Sequence, residues 1–253
     1  MTVDTIVAVV GANGGVGQAV CQALNHYANI KVIRVSTGTA NDLCDFTNDE
    51  GVRCAFEDIM FETDDDDPGR ECHRILINCV GVNYIEWFPK MDFGEFDRLM
   101  RINVRSHLDL IQRLITLDKG SWFKSQNGNG TICEIISNAS HMPMTNSAFY
   151  NASKAAQHGA FMSLARELRK TDGICIFGIS PNKLAGTGMS TYIEGRVPEL
   201  RGWTPEEAHK YQLSALPAGE ETDVDVMAEF IAFLMSSQKR HKYLTNTVIS
   251  YGA

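Results

Sequence analysis

Thr5-Ile6-Val7-Ala8-Val9-Val10-Gly11-Ala12-Asn13-Gly14-Gly15-Val16-Gly17 is the stretch that decides the fold. Residues 5–10 are apolar or β-branched without alternation, which reads as a strand covered on both faces. Glycines follow at once, and residues 15–26 carry helical patterning. Strand, glycine-rich loop and helix in that order form a pyrophosphate cradle. Gly11, Gly14, Gly15 and Gly17 let the backbone turn tightly and approach the phosphates, with Asn13 and Val16 completing the loop. The helix start offers free N–H groups and a partial positive charge. The expectation is a dinucleotide-binding domain.

Working outward, strands are predicted at 30–36, 74–80, 131–137, 174–180 and 244–250, and helices at 47–60, 92–117, 150–169 and 224–235. In the 92–117 segment Phe93, Phe96, Met100, Val104, Leu108, Ile111 and Ile115 recur at steps of three and four, one face of a helix. Thr222 and Asp225 stand as a capping pair before the 224–235 helix. Continuous apolar strands alternating with helices imply an α/β fold: a single doubly wound parallel sheet, Rossmann-type, with helices on both faces. No repeat or linker divides residues 1–253, so one domain is expected. Residues 183–216, with Met189, Tyr192, Ile193, Val197, Leu200, Trp203 and Tyr211, are expected to cover a partly apolar substrate pocket.

Composition narrows the function. The chain has 253 residues, 44% hydrophobic and 21% charged, with a formal net charge of −8. That acidity, without a basic tract, argues against nucleic acid or an anionic membrane as partner. The N-terminal residues carry no targeting pattern, and the apolar run at 6–10 is too short to span a membrane; a cytoplasmic protein is expected. Cys21, Cys44, Cys54, Cys72, Cys79, Cys133 and Cys175 are odd in number and lack a Cys-x-x-Cys pair, so they read as buried thiols. The histidines show no zinc spacing, and no metal is expected. Asp64–Asp67 with Pro68-Gly69 reads as a solvated loop.

In many dinucleotide folds an acid ends the second strand and holds the ribose 2′-hydroxyl. Here that end reads Arg34-Val35-Ser36-Thr37, with no acid. An arginine beside small hydroxyl residues suits a 2′-phosphate, which favours NADP(H) over NAD(H).

Tyr150 and Lys154 lie one helical turn apart and share a face. They stand in fixed order with the glycine loop, with Asn78-Cys79-Val80-Gly81 after a strand, with Asn103 in the long helix, and with Ser137 at a strand end. On these motifs the chain resembles the short-chain dehydrogenase/reductase family over nearly its whole length. Asp45-Phe46 resembles that family's adenine-pocket pair, and Ser180-Pro181-Asn182, with Leu184 and Thr187 beyond, its nicotinamide-side loop. The resemblance implies a catalytic tetrad of Asn103, Ser137, Tyr150 and Lys154. Tyr150 would exchange a proton with a carbonyl or alcohol oxygen that Ser137 also holds. Lys154 would lower the phenol's pKa and bind the nicotinamide ribose, and Asn103 would anchor a water leading to solvent. The hydride belongs to the cofactor. A carbonyl or secondary alcohol is the expected substrate, neutral or weakly polar because residues 183–216 hold no arginine cluster.

The chain departs from the family at Val10, Cys79-Val80, Asn182 and Asn246, and only a few residues separate Ser36 from Cys44, where the family carries a helix. That trimmed crossover bears on the adenosine end. It motivates the alternative of a catalytically silent dinucleotide sensor or scaffold, against which the intact tetrad argues. A sugar-nucleotide dehydratase or epimerase is disfavoured because such relatives carry a longer C-terminal domain. Ala155, Ala156, Gly159 and Ala160 form a small-residue face on the Tyr150 helix. The resemblance implies that this helix and the 92–117 helix pair across a two-fold axis in a homotetramer or homodimer.

Overall fold

Strand β1 (Thr5–Val10) is buried at every position, because both of its faces are covered. Ile6, Ala8 and Val10 point into one hydrophobic core, and Val7 and Val9 into another on the opposite side. This computed structural model describes residues 3–38, 44–64, 72–117, 121–125 and 128–252. Among them β1, β2 (Ile30–Val35), β3 (His73–Asn78), β6 (Thr131–Ile135), β7 (Cys175–Pro181) and β8 (Val248–Tyr251) form a six-stranded sheet in the order β2-β1-β3-β6-β7-β8. Every pairing in it is parallel. The short strands β4 (Lys124–Ser125) and β5 (Gly128–Asn129) pair antiparallel outside it.

Helices α1 (Gly15–Leu24) and α8 (Val224–Met235) bury their apolar sides against one face of the sheet. Helices α2 (Asp49–Asp64), α4 (Ser106–Ile115) and α5 (Ala148–Thr171) cover the other. The doubly wound parallel sheet expected from the sequence is therefore what the chain forms. Residues 183–216 contain α6 (Gly188–Arg201) and α7 (Pro205–Ser214), and α9 (Gln238–Leu244) precedes β8.

The boundaries differ in instructive places. The 92–117 helix is α3 (Phe93–Met100) and α4, joined by a π-helical turn over Arg101–Arg105. The cap of α8 is Asp223, whose carboxylate accepts from the N–H groups of Asp225 and Val226, rather than the Thr222–Asp225 pair. Residues 244–247, read as strand, end α9 and turn into β8. Asp64 closes α2, while Asp65, Asp66, Asp67, Pro68 and Gly69 lie outside the described residues.

The cysteine expectation needs correction. Cys44 and Cys54 are joined in a disulfide with Cα atoms 5.5 Å apart; Cys21, Cys79, Cys133 and Cys175 keep free thiols. The short crossover brings the chain back at Cys44 beside β2, where it makes only a parallel bridge with Thr37. The next residues enter α2, whose second turn carries Cys54. No helix among the described residues is long and apolar enough to cross a membrane.

Candidate active site

The ends of β1, β3, β6 and β7 converge at the carboxyl edge of the sheet, where parallel α/β folds place their ligands. Gly11 turns the chain out of β1 at φ +81°. A Cβ on Gly17 would lie 2.1 Å from the Gly11 carbonyl oxygen, so only glycine lets α1 start this close to β1. Gly14 sits at the N-cap with no side-chain hydrogen bond, which leaves the first N–H groups of α1 facing the cavity. A Cβ on Gly15 would come within 3.0 Å of the Thr187 side chain. The loop after β7 thus closes on the loop after β1.

At the outer end the Asn13 amide clamps the backbone of Thr37, donating to its carbonyl at 2.8 Å and accepting from its N–H at 3.0 Å. Arg34 reaches back to the Ala12 carbonyl at 3.4 Å. It pairs with no carboxylate among the described residues. Ser36 accepts the N–H of Cys44. The Asp45 carboxylate is committed locally, accepting from the Thr47 and Asn48 side chains at 2.7 and 2.9 Å. Phe46 is buried in the core. Asn78 is fully buried at the end of β3, and neither atom of its amide has a hydrogen-bond partner.

A cavity of about 600 Å³ runs inward from this loop. Of the residues singled out by sequence, Gly14, Gly15, Val16, Val80, Gly81, Ser137, Tyr150, Lys154, Pro181, Asn182, Leu184 and Thr187 line it. Gly11, Asn13, Gly17, Arg34, Ser36, Thr37, Asp45, Phe46, Asn78 and Asn103 do not. Ser137 follows β6, and its Oγ accepts from the Ala139 N–H at 3.1 Å. Tyr150 lies in the first turn of α5, with Lys154 one turn on; both are buried. The Asn182 amide turns away to accept from Thr222 Oγ1 at 2.6 Å and to donate to the Gly252 carbonyl.

Two features differ from the expected tetrad. Burial pushes the Tyr150 phenol up, and only a hydrogen bond with Ser137 opposes it. Lys154 Nζ stands 6.0 Å from the centroid of the phenol ring and donates to Gln157 Oε1 at 2.9 Å. The Asn103 side chain is engaged within the protein. Its Oδ1 accepts from the Val82 N–H at 2.9 Å, and its Nδ2 donates to the Val82 carbonyl and to Ser153 Oγ, each at 3.0 Å. These bonds tie the π turn, a feature common at functional sites, to the segment after β3 and to α5.

Sequence reading missed four residues in and behind the site. Glu134, in the middle of β6, is fully buried; a lone acid in an apolar strand was the signal. Arg201, Asn146 and Gln212 also line the cavity. Arg201 donates to Thr145 Oγ1 and to Asn146 Oδ1 and packs over Trp203 and Tyr211 at 4.7 and 5.0 Å. Lys183 is neutralised by Glu194 and Glu221.

Comparison with known proteins agrees with this geometry. The family model for short chain dehydrogenases matches residues 5–196. Sorbitol-6-phosphate 2-dehydrogenase of Klebsiella pneumoniae is 25% identical, covering 96% of this chain and 92% of its own. L-xylulose reductase of Caenorhabditis elegans is 26% identical, covering 92% and 89%. Among solved structures, an actinorhodin polyketide ketoreductase with NADPH superposes with a TM-score of 0.81 at 19% identity, covering 98% of this chain and 96% of that one. L-sorbose reductase from Gluconobacter frateurii gives a TM-score of 0.74 at 19% identity, covering 99% and 96%. The chain belongs to the short-chain dehydrogenase family. It is accordingly an NAD(P)-dependent oxidoreductase.

Proposed function

We propose that this protein is an NADP(H)-preferring reductase or dehydrogenase of a ketone or secondary alcohol, with Tyr150 as its acid–base. The observation that carries this reading is one continuous cavity. It runs from the open N-terminus of α1 past Ser137, Tyr150 and Lys154. The donor set fits a dinucleotide. Gly14, Gly15 and Val16 would take the pyrophosphate at the helix N-terminus, and Val80, Gly81, Pro181, Leu184 and Thr187 the nicotinamide half. Arg34, Ser36 and Thr37 sit at the adenosine end. A guanidinium there, free of carboxylates among the described residues, supports a 2′-phosphate.

The bound nicotinamide supplies the hydride. Tyr150 donates its phenolic proton to the carbonyl oxygen in reduction and takes it back in oxidation. Ser137 hydrogen-bonds the same oxygen and fixes it against Tyr150. Lys154, as a buried ammonium, favours the phenolate that remains. Asn103 acts as a positioning residue through the π turn. The lining combines apolar residues (Ile85, Met189, Ile193, Val197) with a few polar ones (Asn146, Arg201, Gln212). That supports a substrate with an apolar body and hydrogen-bonding groups. The exposed Ala155 and Gly159 of α5, the latter with open space around it, support a homotetramer or homodimer through this helix. A cytoplasmic location completes the reading.

The test is a fluorescence titration of the purified protein with NADPH and, separately, NADH. NADPH should bind at least tenfold more tightly, and Arg34→Ala should close that gap. Equal affinities in the wild type would refute the preference, and binding of neither would refute the site.

A further inference from the structure

Behind Lys154 lies a chain of buried polar groups that acid–base chemistry at Tyr150 does not use. Glu134 occupies the β6 position two residues beyond Ile132 and shares its face, so its side chain points into the core under α4 and α5. Its Oε2 accepts from Gln157 Nε2 at 3.1 Å and lies 3.0 Å from His107 Nδ1. Gln157 in turn accepts from Lys154 Nζ at 2.9 Å. Glu134, His107 and Gln157 are all fully buried. The orientation of the Gln157 amide follows from these partners: its oxygen faces the ammonium, and its NH₂ faces the carboxylate. An amide held between two opposite charges has its dipole aligned with both.

A carboxylate without solvent needs donors and a counter-charge. Gln157 and His107 face Oε2 as donors, Oε1 has no hydrogen-bond partner among the described residues, and Lys154 provides the charge. The benefit is mutual. Burial pushes the Lys154 ammonium down to about 8, while the Glu134 charge opposes that fall. We propose that Glu134, acting through Gln157, is a positioning residue that holds Lys154 in place and charged, forming an ammonium–amide–carboxylate chain behind the Tyr150–Lys154 pair. This rests on reading those two as the acid–base pair.

Other groups around the chain leave this assignment intact. On α5 itself, Tyr150 faces Lys154 with its phenol pushed up by burial. From the π turn comes the neutral Asn103, and from the segment after β3 Gly81, whose Cβ would lie 3.3 Å from Lys154 Nζ. Beside Glu134 in the sheet register stand Asn78 and Gly178, both uncharged. The Cys79 and Cys133 thiols are pushed up by burial and remain protonated. His107 contacts Glu134 from α4.

The test measures the lysine directly, so it does not depend on turnover. Protein carrying ¹³Cε-lysine is titrated by NMR, with the Lys154 resonance assigned from its loss in Lys154→Met. Wild type should titrate near 8. Glu134→Gln removes the charge at constant shape, and Gln157→Met cuts the bridge; each should lower the Lys154 midpoint by about one unit or more. Glu134→Asp, which keeps the charge, should recover part of that shift. If Glu134→Gln does not fold, Gln157→Met alone decides. Titration of the folded variants at the wild-type midpoint would overturn the proposal. Loss of the acid–base reading would show separately, as undiminished turnover in Tyr150→Phe.

Discussion

Asn103 Nδ2 donates to Ser153 Oγ at 3.0 Å, both groups fully buried, and this bond ties the π turn to the helix that carries Tyr150 and Lys154. The same amide closes a two-way bond with the backbone of Val82. Ser153 is the residue before Lys154, so the turn and the catalytic helix are held in one register.

Replacing Asn103 with Leu strands the Val82 N–H and carbonyl and removes the donor to Ser153 Oγ, which keeps its own bond to the Tyr150 carbonyl at 2.8 Å. Stranded buried groups cost about 1–3 kcal/mol each, so a stability loss of about 3 kcal/mol is expected by urea denaturation. Turnover should fall about tenfold or more at pH 7, because a small misplacement of the helix misplaces both functional groups.

Lys154 titrates at about 8 because burial disfavours its charge. The pH profile of kcat/KM should therefore fall on the alkaline side near pH 8. Lys154→Arg should abolish that limb, since a guanidinium stays charged throughout. A wild-type profile flat to pH 10 would detach Lys154 from the chemistry.

His73, Thr131 and His241 form a buried cluster where the edge of β6 meets α9. His73 Nε2 lies 3.2 Å from both Thr131 Oγ1 and His241 Nδ1. His241 Nε2 lies 3.0 Å from the Leu234 carbonyl, which assigns its proton to that nitrogen. Burial first, and then His241, pull the pKa of His73 from 6.5 to about 4. The unfolded chain binds more protons between those values, so stability is fully present above pH 6.5 and is lost as pH falls toward 4. The loss from His73 is about 3 kcal/mol. Thermal melts should show a falling Tm over this window, and His73→Gln should flatten it.

Gly17→Ala would place a methyl 2.1 Å from the Gly11 carbonyl oxygen, a backbone atom that cannot yield without moving the loop. Destabilisation of about 3 kcal/mol, with loss of NADPH binding, is expected by calorimetry and titration.

Much of this was legible in the sequence because the signals were local. The 5–17 stretch shows both the strand's two-faced burial and the glycine turn, and Tyr150 with Lys154 needs only helical spacing to share a face. Continuous apolar runs placed the sheet to within two or three residues at most ends. What escaped reading depends on pairing across distance. A π turn at Arg101–Arg105 leaves no mark in a periodic pattern, and the contacts of Asn103 that accompany it reach Val82 and Ser153, 21 and 50 residues away in the chain. The disulfide required knowing that the short crossover returns Cys44 to α2. Asp223 rather than Thr222 caps α8, and the Thr222 hydroxyl is committed to the distant Asn182 amide. The cap of α7 was readable, by contrast. Thr204 and Glu207 form a reciprocal capping box, the very spacing that marks a helix start, and it lay in a segment treated only as a cover. Glu134 was visible as a letter, but its partners His107 and Gln157 come from two other elements.

The most direct measurement is turnover of Tyr150→Phe beside wild type, with NADPH and a panel of ketones, together with NADPH affinity by fluorescence. Removing only the phenolic oxygen should lower kcat by about 10²–10⁴-fold, with the affinity for NADPH within about twofold of wild type. A variant that turns over as fast as wild type while binding NADPH normally would contradict the assignment of Tyr150 as the acid–base.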